Sequence, residues 1–273
     1  MLKDITLGQY FPTDSVIHKI DPRFKIMFTL AYIIFVFLVD SLPGYIFVGL
    51  FTFTLIKLSK ISFLVVFKSV KPLLFIIAFT AIINLFFTGG EDVLFSWRFL
   101  TITVTGVVNA VNMALRLIFL VMGTSLLTYT TSPIVLTDGM ERLLSPFGKI
   151  GLPSHEIAMM MTIALRFIPT LLEETEKIIM AQKARGADFE SGNIFRRAKA
   201  LIPVLVPLFI SSFRRADELA MAMECRCYRG GENRTSLHRL KISSHDWAAL
   251  GVMVVFAAAI VIINIFNVRI MGF

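Results

Sequence analysis

Hydrophobic residues in the first half of the chain fall in long blocks with few charges, which is the pattern of membrane-spanning helices rather than of a half-buried soluble surface. The first block runs from about Ile26 to Val39 and is broken by Asp40-Ser41-Leu42-Pro43-Gly44. A second follows from Tyr45 to about Leu58, so the tight Pro-Gly connection predicts a helical hairpin. Both blocks are short against the ~20 residues that cross the hydrocarbon, and flanking residues such as Phe24 and Lys57 must extend them. Ile61 to Val70 is apolar but brief and lies among Lys60, Lys68 and Lys71, which reads as an interfacial helix. Pro72 opens a third run ending near Phe87. A polar loop begins at Gly89-Gly90-Glu91-Asp92, and the β-rich stretch Phe99 to Val104 predicts a short hairpin or extended connection. The fourth run is Gly106 to Thr130, with Arg116 inside it, and the last is Trp247 to Phe266, opened by Ser244 or Asp246.

The pattern changes between residues 131 and 245, where apolar positions recur at helical spacing among many charges. Three helices are expected: Pro133 to Leu144, Ser154 to Arg185 with Pro169 inside it, and Ile194 to Tyr228 with Pro203 and Pro207 near its start. Gly186 and Gly230-Gly231 are the stop signals. In the third helix Leu201, Leu205, Leu208, Phe209, Phe213, Leu219 and Met223 form the candidate packing stripe, while Glu173 and Glu174 of the second read as a solvated face. The fold class is therefore an all-α integral membrane protein, with about five transmembrane helices and long amphipathic helices outside the bilayer; six or seven spans result if Ile157 to Leu172 or Leu201 to Phe213 enters the bilayer. The chain divides into a membrane region over 1–130 with about four spans, the amphipathic region 131–245, and a C-terminal span over 246–273.

Charge orients this arrangement. Sixteen of the 27 Lys and Arg residues lie between Ser132 and Lys241. With five spans and a cytoplasmic N-terminus, all but Lys57, Arg98, Arg116 and Arg269 of the basic residues fall on the cytoplasmic side, as the positive-inside bias demands. That bias also accounts for the pI near 9.7 without nucleic acid. A hydrophobic fraction of 56% is more than a soluble core of this size can hide.

Catalytic signatures are absent. Gly148-Lys149 lacks the remainder of a phosphate-binding loop, no metal-ligand cluster appears, and Cys225 with Cys227 makes a poor metal site. The cysteines read better as small residues packed on a neighbour. His18 reads as a hydrogen-bonded residue rather than a ligand, and Asp21-Pro22 as a turn or the first turn of a helix. Two short elements stand out: Ala184-Arg185-Gly186 and Cys225-Arg226-Cys227, each at the end of a long helix. Arginine between small residues offers a forked donor to a partner's carboxylate at close range. A helix-end arginine is also favoured by the helix dipole alone, but the repetition points to paired docking.

These residues resemble the T component of energy-coupling-factor transporters. The resemblance rests on Ala181-Gln182-Lys183-Ala184-Arg185-Gly186-Ala187-Asp188 and on the run Arg215 to Glu224 followed by Arg226 and Tyr228. Leu165-Arg166-Phe167-Ile168-Pro169 and Asp21-Pro22-Arg23 add to it. It implies a non-enzymatic membrane subunit that links two ABC ATPases to a substrate-binding S component in an importer of vitamins or similar micronutrients. ATP and Mg²⁺ would sit on the ATPases, with no cofactor on this chain. Arg185 and Arg226 would each dock on one ATPase, and the packing stripe would meet the S component. Cys225 and Cys227 depart from the family's alanine and glycine, which implies two unequal, non-identical ATPase partners. The competing readings are a self-sufficient secondary transporter or channel and a membrane enzyme.

Overall fold

The computed structural model describes residues 10–88, 93–97, 100–150, 153–189, 193–230 and 242–271. Nine α-helices occur among them: α1 (Pro22–Leu38), α2 (Leu42–Ser59), α3 (Phe63–Lys68), α4 (Leu74–Phe87), α5 (Val104–Thr130), α6 (Pro133–Leu144), α7 (Ser154–Ala184), α8 (Ile194–Cys225) and α9 (Ser244–Met271). One antiparallel hairpin, β1 (Val93–Trp97) with β2 (Leu100–Thr103), precedes α5, where the β-rich stretch predicted it. It is a small exception within an all-α membrane protein. The polar loop at 89–92 and Arg98 lie outside the described residues.

Two compact units divide the chain. One holds the described residues 10–139 and 242–271, the other those from 140 to 230. Five helical stretches are long and apolar enough to cross a membrane: Leu42–Ser59, Phe63–Phe87, Val104–Thr130, Ser154–Ala184 and Ser244–Phe266. This set differs from the expected one at three points. The interfacial stretch joins α4 in one apolar segment, because α3 and α4 are separated only by Ser69, Val70 and a 3₁₀ turn at Lys71–Leu73. α7, which contains the alternative span at Ile157 to Leu172, has the length and hydropathy of one. α1 carries no charge after its first turn but has 17 residues, about 26 Å. A helix so short reaches across only with flanking residues or a thinned bilayer.

The first unit is an up-and-down bundle, and its polar bonds cluster at its two ends, as a helix in lipid requires. At one end α1 and α9 begin while α2 and α5 finish. Asp21 caps α1 by accepting from the Arg23 amide at 2.9 Å, and Pro22 takes the first position, where no amide hydrogen is needed. Asp246 is fully buried; it accepts from the Ser243 amide at 2.6 Å and from the Asp21 amide at 2.8 Å. One carboxylate thus satisfies an amide at the start of α9 and one at the start of α1. Lys25, also buried, donates to the carbonyls of His18 and Thr130 and to Thr131 Oγ1 at 3.1 to 3.2 Å, so all three of its protons are used.

Residues 10–20 lie across the same end. The Phe11 amide donates to the Tyr129 carbonyl at 3.0 Å. His18 has the hydrogen-bonding role expected: its Nε2 lies 2.9 Å from the Phe11 carbonyl and its Nδ1 2.7 Å from Ser15 Oγ. Burial lowers its pKa below 6.5, against the opposing pull of the Phe11 carbonyl.

At the other end, Arg116 finds its place. It faces neighbouring helices, donating to Tyr45 Oη at 3.0 Å, the Val39 carbonyl at 2.8 Å and Asp40 Oδ1 at 3.0 Å. The α1–α2 turn reaches only to the middle of α5, so this charge meets the hairpin tip, where Asp40 is exposed. Packing between these ends is aromatic: Phe256 of α9 stacks on Phe51 of α2 at 4.0 Å and on Tyr32 of α1 at 6.0 Å. Gly123 of α5 is required here, because a Cβ would meet the Tyr32 ring at 2.2 Å.

Two outcomes test this end of the bundle. Asp246→Ala leaves two amides without their acceptor and is expected to cost about 2–4 kcal/mol, read as a lower unfolding midpoint in detergent. His18 gives a pH dependence. Its lowered native pKa means the unfolded segment holds more protons under mildly acidic conditions, so its contribution is complete above about 6.5 and falls as pH drops below that. Amide exchange at Phe11, corrected for its intrinsic rate, should therefore accelerate between about pH 7.5 and pH 5, and His18→Gln should abolish the difference.

Candidate docking site

α7 and α8 form an antiparallel pair. Gln182 Nε2 donates to the Pro203 carbonyl at 3.4 Å, Arg215 to Glu174 at 3.0 Å, and the Arg215 guanidinium lies 5.8 Å over the Phe167 ring. The first of these bonds has a local cause. Pro207 has no amide hydrogen to give the carbonyl four residues earlier, which belongs to Pro203, and Gln182 supplies the missing donor.

Glu174 corrects the sequence reading. It is not on a solvated face: it accepts from Arg215 and Ser211 of α8, and its side chain is 25% exposed. Glu173 beside it is exposed, as expected. The packing stripe also divides. Val204 is buried, with Leu208, Ser211, Arg215, Leu219 and Met223 half-buried along one line of α8. Leu201, Leu205, Phe209 and Phe213 are 45 to 68% exposed on the adjoining arc. Sequence periodicity merged two neighbouring stripes, because both are apolar and both repeat every three to four residues.

The two helices end in the same way. α7 stops at Ala184, with Arg185 at the cap; the Gly186 amide donates to the Lys183 carbonyl and the Ala187 amide to the Gln182 carbonyl, both at 3.0 Å. α8 stops at Cys225, with Arg226 at the cap; the Cys227 amide donates to the Glu224 carbonyl at 2.8 Å and the Tyr228 amide to the Met223 carbonyl at 3.0 Å. Each is a Schellman motif, which needs a left-handed residue just after the cap. Gly186 fills that position with φ +86°, and Cys227 fills it with φ +55°. The helix therefore ends at Cys225, ahead of the expected Gly230-Gly231 stop; Gly231 lies outside the described residues.

Ala184, Arg185, Gly186, Cys225, Arg226 and Cys227 are all exposed. This corrects the expectation that the cysteines pack on a neighbour. Among the described residues neither arginine forms an ion pair. The antiparallel pairing puts them at opposite ends: Arg185 lies beside the Pro203 region of α8, and Arg226 stands some 23 residues further along it, about 35 Å away. Two caps of the same hydrogen-bond pattern thus present two exposed cations at well-separated points. No group of His, Cys, Asp and Glu among the described residues could hold a metal ion.

Residues 13–237 match the family model CbiQ, described as cobalt transport protein. The chain is 60% identical over 250 residues to the energy-coupling factor transporter transmembrane protein EcfT of Clostridium kluyveri, covering 91% of this chain and 93% of that one. It is 54% identical over 264 residues to the protein of that name from Ruminiclostridium cellulolyticum, covering 97% and 98%. The chain belongs to this family. The EcfT protein of Bacillus subtilis shares 43% identity over 258 residues, 94% of this chain and 97% of its own. The chain is thus a multi-pass transmembrane component of energy-coupling-factor transporters, a class of transporter subunit rather than enzyme. The family model spans both helix ends that carry Arg185 and Arg226.

Sequence reasoning identified both arginines but not the geometry of their caps. The left-handed turn at Cys227 was hidden because nothing in cysteine's chemistry announces it. A left-handed non-glycine residue costs about 1 kcal/mol. Cys227→Gly is accordingly expected to slow amide exchange at Tyr228 about fivefold, and Gly186→Ala to speed it at Ala187 by a similar factor.

Proposed function

We propose that this chain is the membrane scaffold and energy-coupling subunit of an ATP-driven importer of vitamins or similar micronutrients. Two ABC ATPases hold ATP and Mg²⁺, a separate S component binds the substrate, and this subunit joins them with no cofactor of its own. The observation that carries the reading is the duplicated cap: two exposed arginines, free of ion pairs among the described residues, at opposite ends of one helix pair. Each enters a groove on one ATPase and meets an acidic residue there. Gly186 gives the first contact a bare backbone, while Cys227 adds a side chain to the second; the difference supports two non-identical ATPases.

The basic residues between 131 and 245 favour the cytoplasmic side, and a cytoplasmic N-terminus goes with it. The exposed arc of Leu201, Leu205, Phe209 and Phe213 packs against the S component, while Leu208, Leu219 and Met223 hold α8 on α7. ATP binding draws the ATPases together and shifts the two helix ends; the Glu174–Arg215 pair and the Gln182 bond make α7 and α8 move as one body. The S component then reorients in the bilayer.

The test is uptake in proteoliposomes holding the complete complex. Leaving a groove carboxylate without its arginine costs about 3–5 kcal/mol, so Arg185→Ala and Arg226→Ala should each abolish most uptake while the chain stays folded. Each variant should lose one ATPase on co-purification. Normal uptake and co-purification by the double variant would contradict the proposal, as would substrate flux through this chain alone.

A further inference from the structure

The membrane bundle contains a cavity of about 250 Å³ between α1, α2, α5 and α9. Its origin is a size mismatch along α9. Phe256 fills the space beside Phe51, but two turns earlier Ala248 and Ala249 leave it open. Tyr32 and Thr52 form the deep wall and are at most 4% exposed, while Leu58 and Val252 at the mouth are 51% and 52% exposed. A second groove shares Phe51, Ala248 and Val252 and continues past Phe256 along the outer surface of α2 and α9. The cavity therefore opens sideways between two membrane helices.

The lining is almost wholly apolar, and its one cation is spent: Lys25 already donates to three acceptors. Polar character lies at the end of the bundle where α2 finishes. Lys19, Lys57 and Lys60 are exposed there, and none forms an ion pair among the described residues. His245 lines the mouth, Trp247 beside it is 66% exposed, and Asp14 is the exposed acid of the segment that crosses this end. An apolar slot at the end of the bundle that also carries three exposed lysines and an exposed tryptophan matches a phospholipid in both its parts.

We propose that this cavity binds one acyl chain of an anionic membrane phospholipid. The chain lies between α2 and α9 against Tyr32, Thr52 and Ala249, and the headgroup rests on Lys19, Lys57 and Lys60. The lipid completes the packing that α9 leaves open, so anionic lipid becomes a structural component of the membrane bundle. A preformed slot favours the chain because it is filled by methylenes that the small residues leave unmatched.

The experiment uses the full chain in nanodiscs of phosphatidylglycerol or phosphatidylcholine, each with a trace of the same lipid bearing a diazirine at mid-chain. Photolabelling should concentrate on peptides covering 50–58 and 245–256 and be stronger with phosphatidylglycerol. Ala249→Phe fills the slot and should cut that labelling about tenfold, as expected when burial of about two methylenes is lost, without changing labelling of α4. Ala249→Leu, a smaller intrusion, should give an intermediate loss and serves if the larger variant is not monodisperse. Lys57→Gln with Lys60→Gln should reduce the preference for the anionic lipid. Equal labelling of α4 and α9 in the parent protein, or labelling unaffected by both Ala249 substitutions, would overturn the proposal. So would capture of a polypeptide instead of lipid by a photoreactive residue at Val252 in native membranes.

Discussion

Asp246 sets the topology. Its buried carboxylate receives the Ser243 amide with one oxygen and the Asp21 amide with the other, so α9 and α1 begin side by side. In lipid an unsatisfied backbone group costs several kcal/mol, and this pairing meets that demand at two helix starts together. Lys25 does the same for the end of α5, binding the Thr130 carbonyl and the Thr131 hydroxyl. The chain therefore leaves α5 and begins α9 at the same end of the bundle. The stretch between them carries sixteen of the 27 Lys and Arg residues.

This stretch is built to hold two points apart. Proline breaks in α8 leave carbonyls unpaired, and Gln182 of α7 takes the one at Pro203. Glu174 is held by Arg215 and Ser211, an ion pair in an interface and so worth more than a solvent-exposed one. These polar clamps fix the helices against each other where the apolar line of Val204, Leu208, Leu219 and Met223 alone would allow sliding. The same Schellman turn then ends both helices, and each turn leaves at the cap an exposed arginine that forms no ion pair among the described residues. One turn uses glycine, the other forces a cysteine into the left-handed region. Retaining a strained residue there indicates that the shape of the turn matters more than its local stability.

Much of this was legible in the residues. Hydrophobic blocks placed α2, α4, α5 and α9 to within a few positions, and α6, α7 and the start of α8 were placed almost to the residue, while α8 ends three residues before the expected Tyr228. Both arginine elements were visible because small residues flank them at helix ends. What could not be read depends on partners distant in sequence. Glu174 looked solvated because its partners lie 37 and 41 residues away. Arg116 looked costly at mid-span because the sequence does not show that the α1–α2 turn stops beside it. The exposed arc of Leu201 and Phe209 merged with the buried line because helical periodicity cannot separate two apolar faces that adjoin. The cavity beside Ala249 is a matter of packing, which no period encodes.

The central claim is that Arg185 and Arg226 are two separate contacts with two motor subunits. A photoreactive residue placed at each position in turn, in membranes containing the native complex, tests it most directly. The account predicts that position 185 captures one nucleotide-binding subunit and position 226 the other, each without the other's product. Capture of lipid at both positions, or of one and the same subunit surface from both, would contradict it.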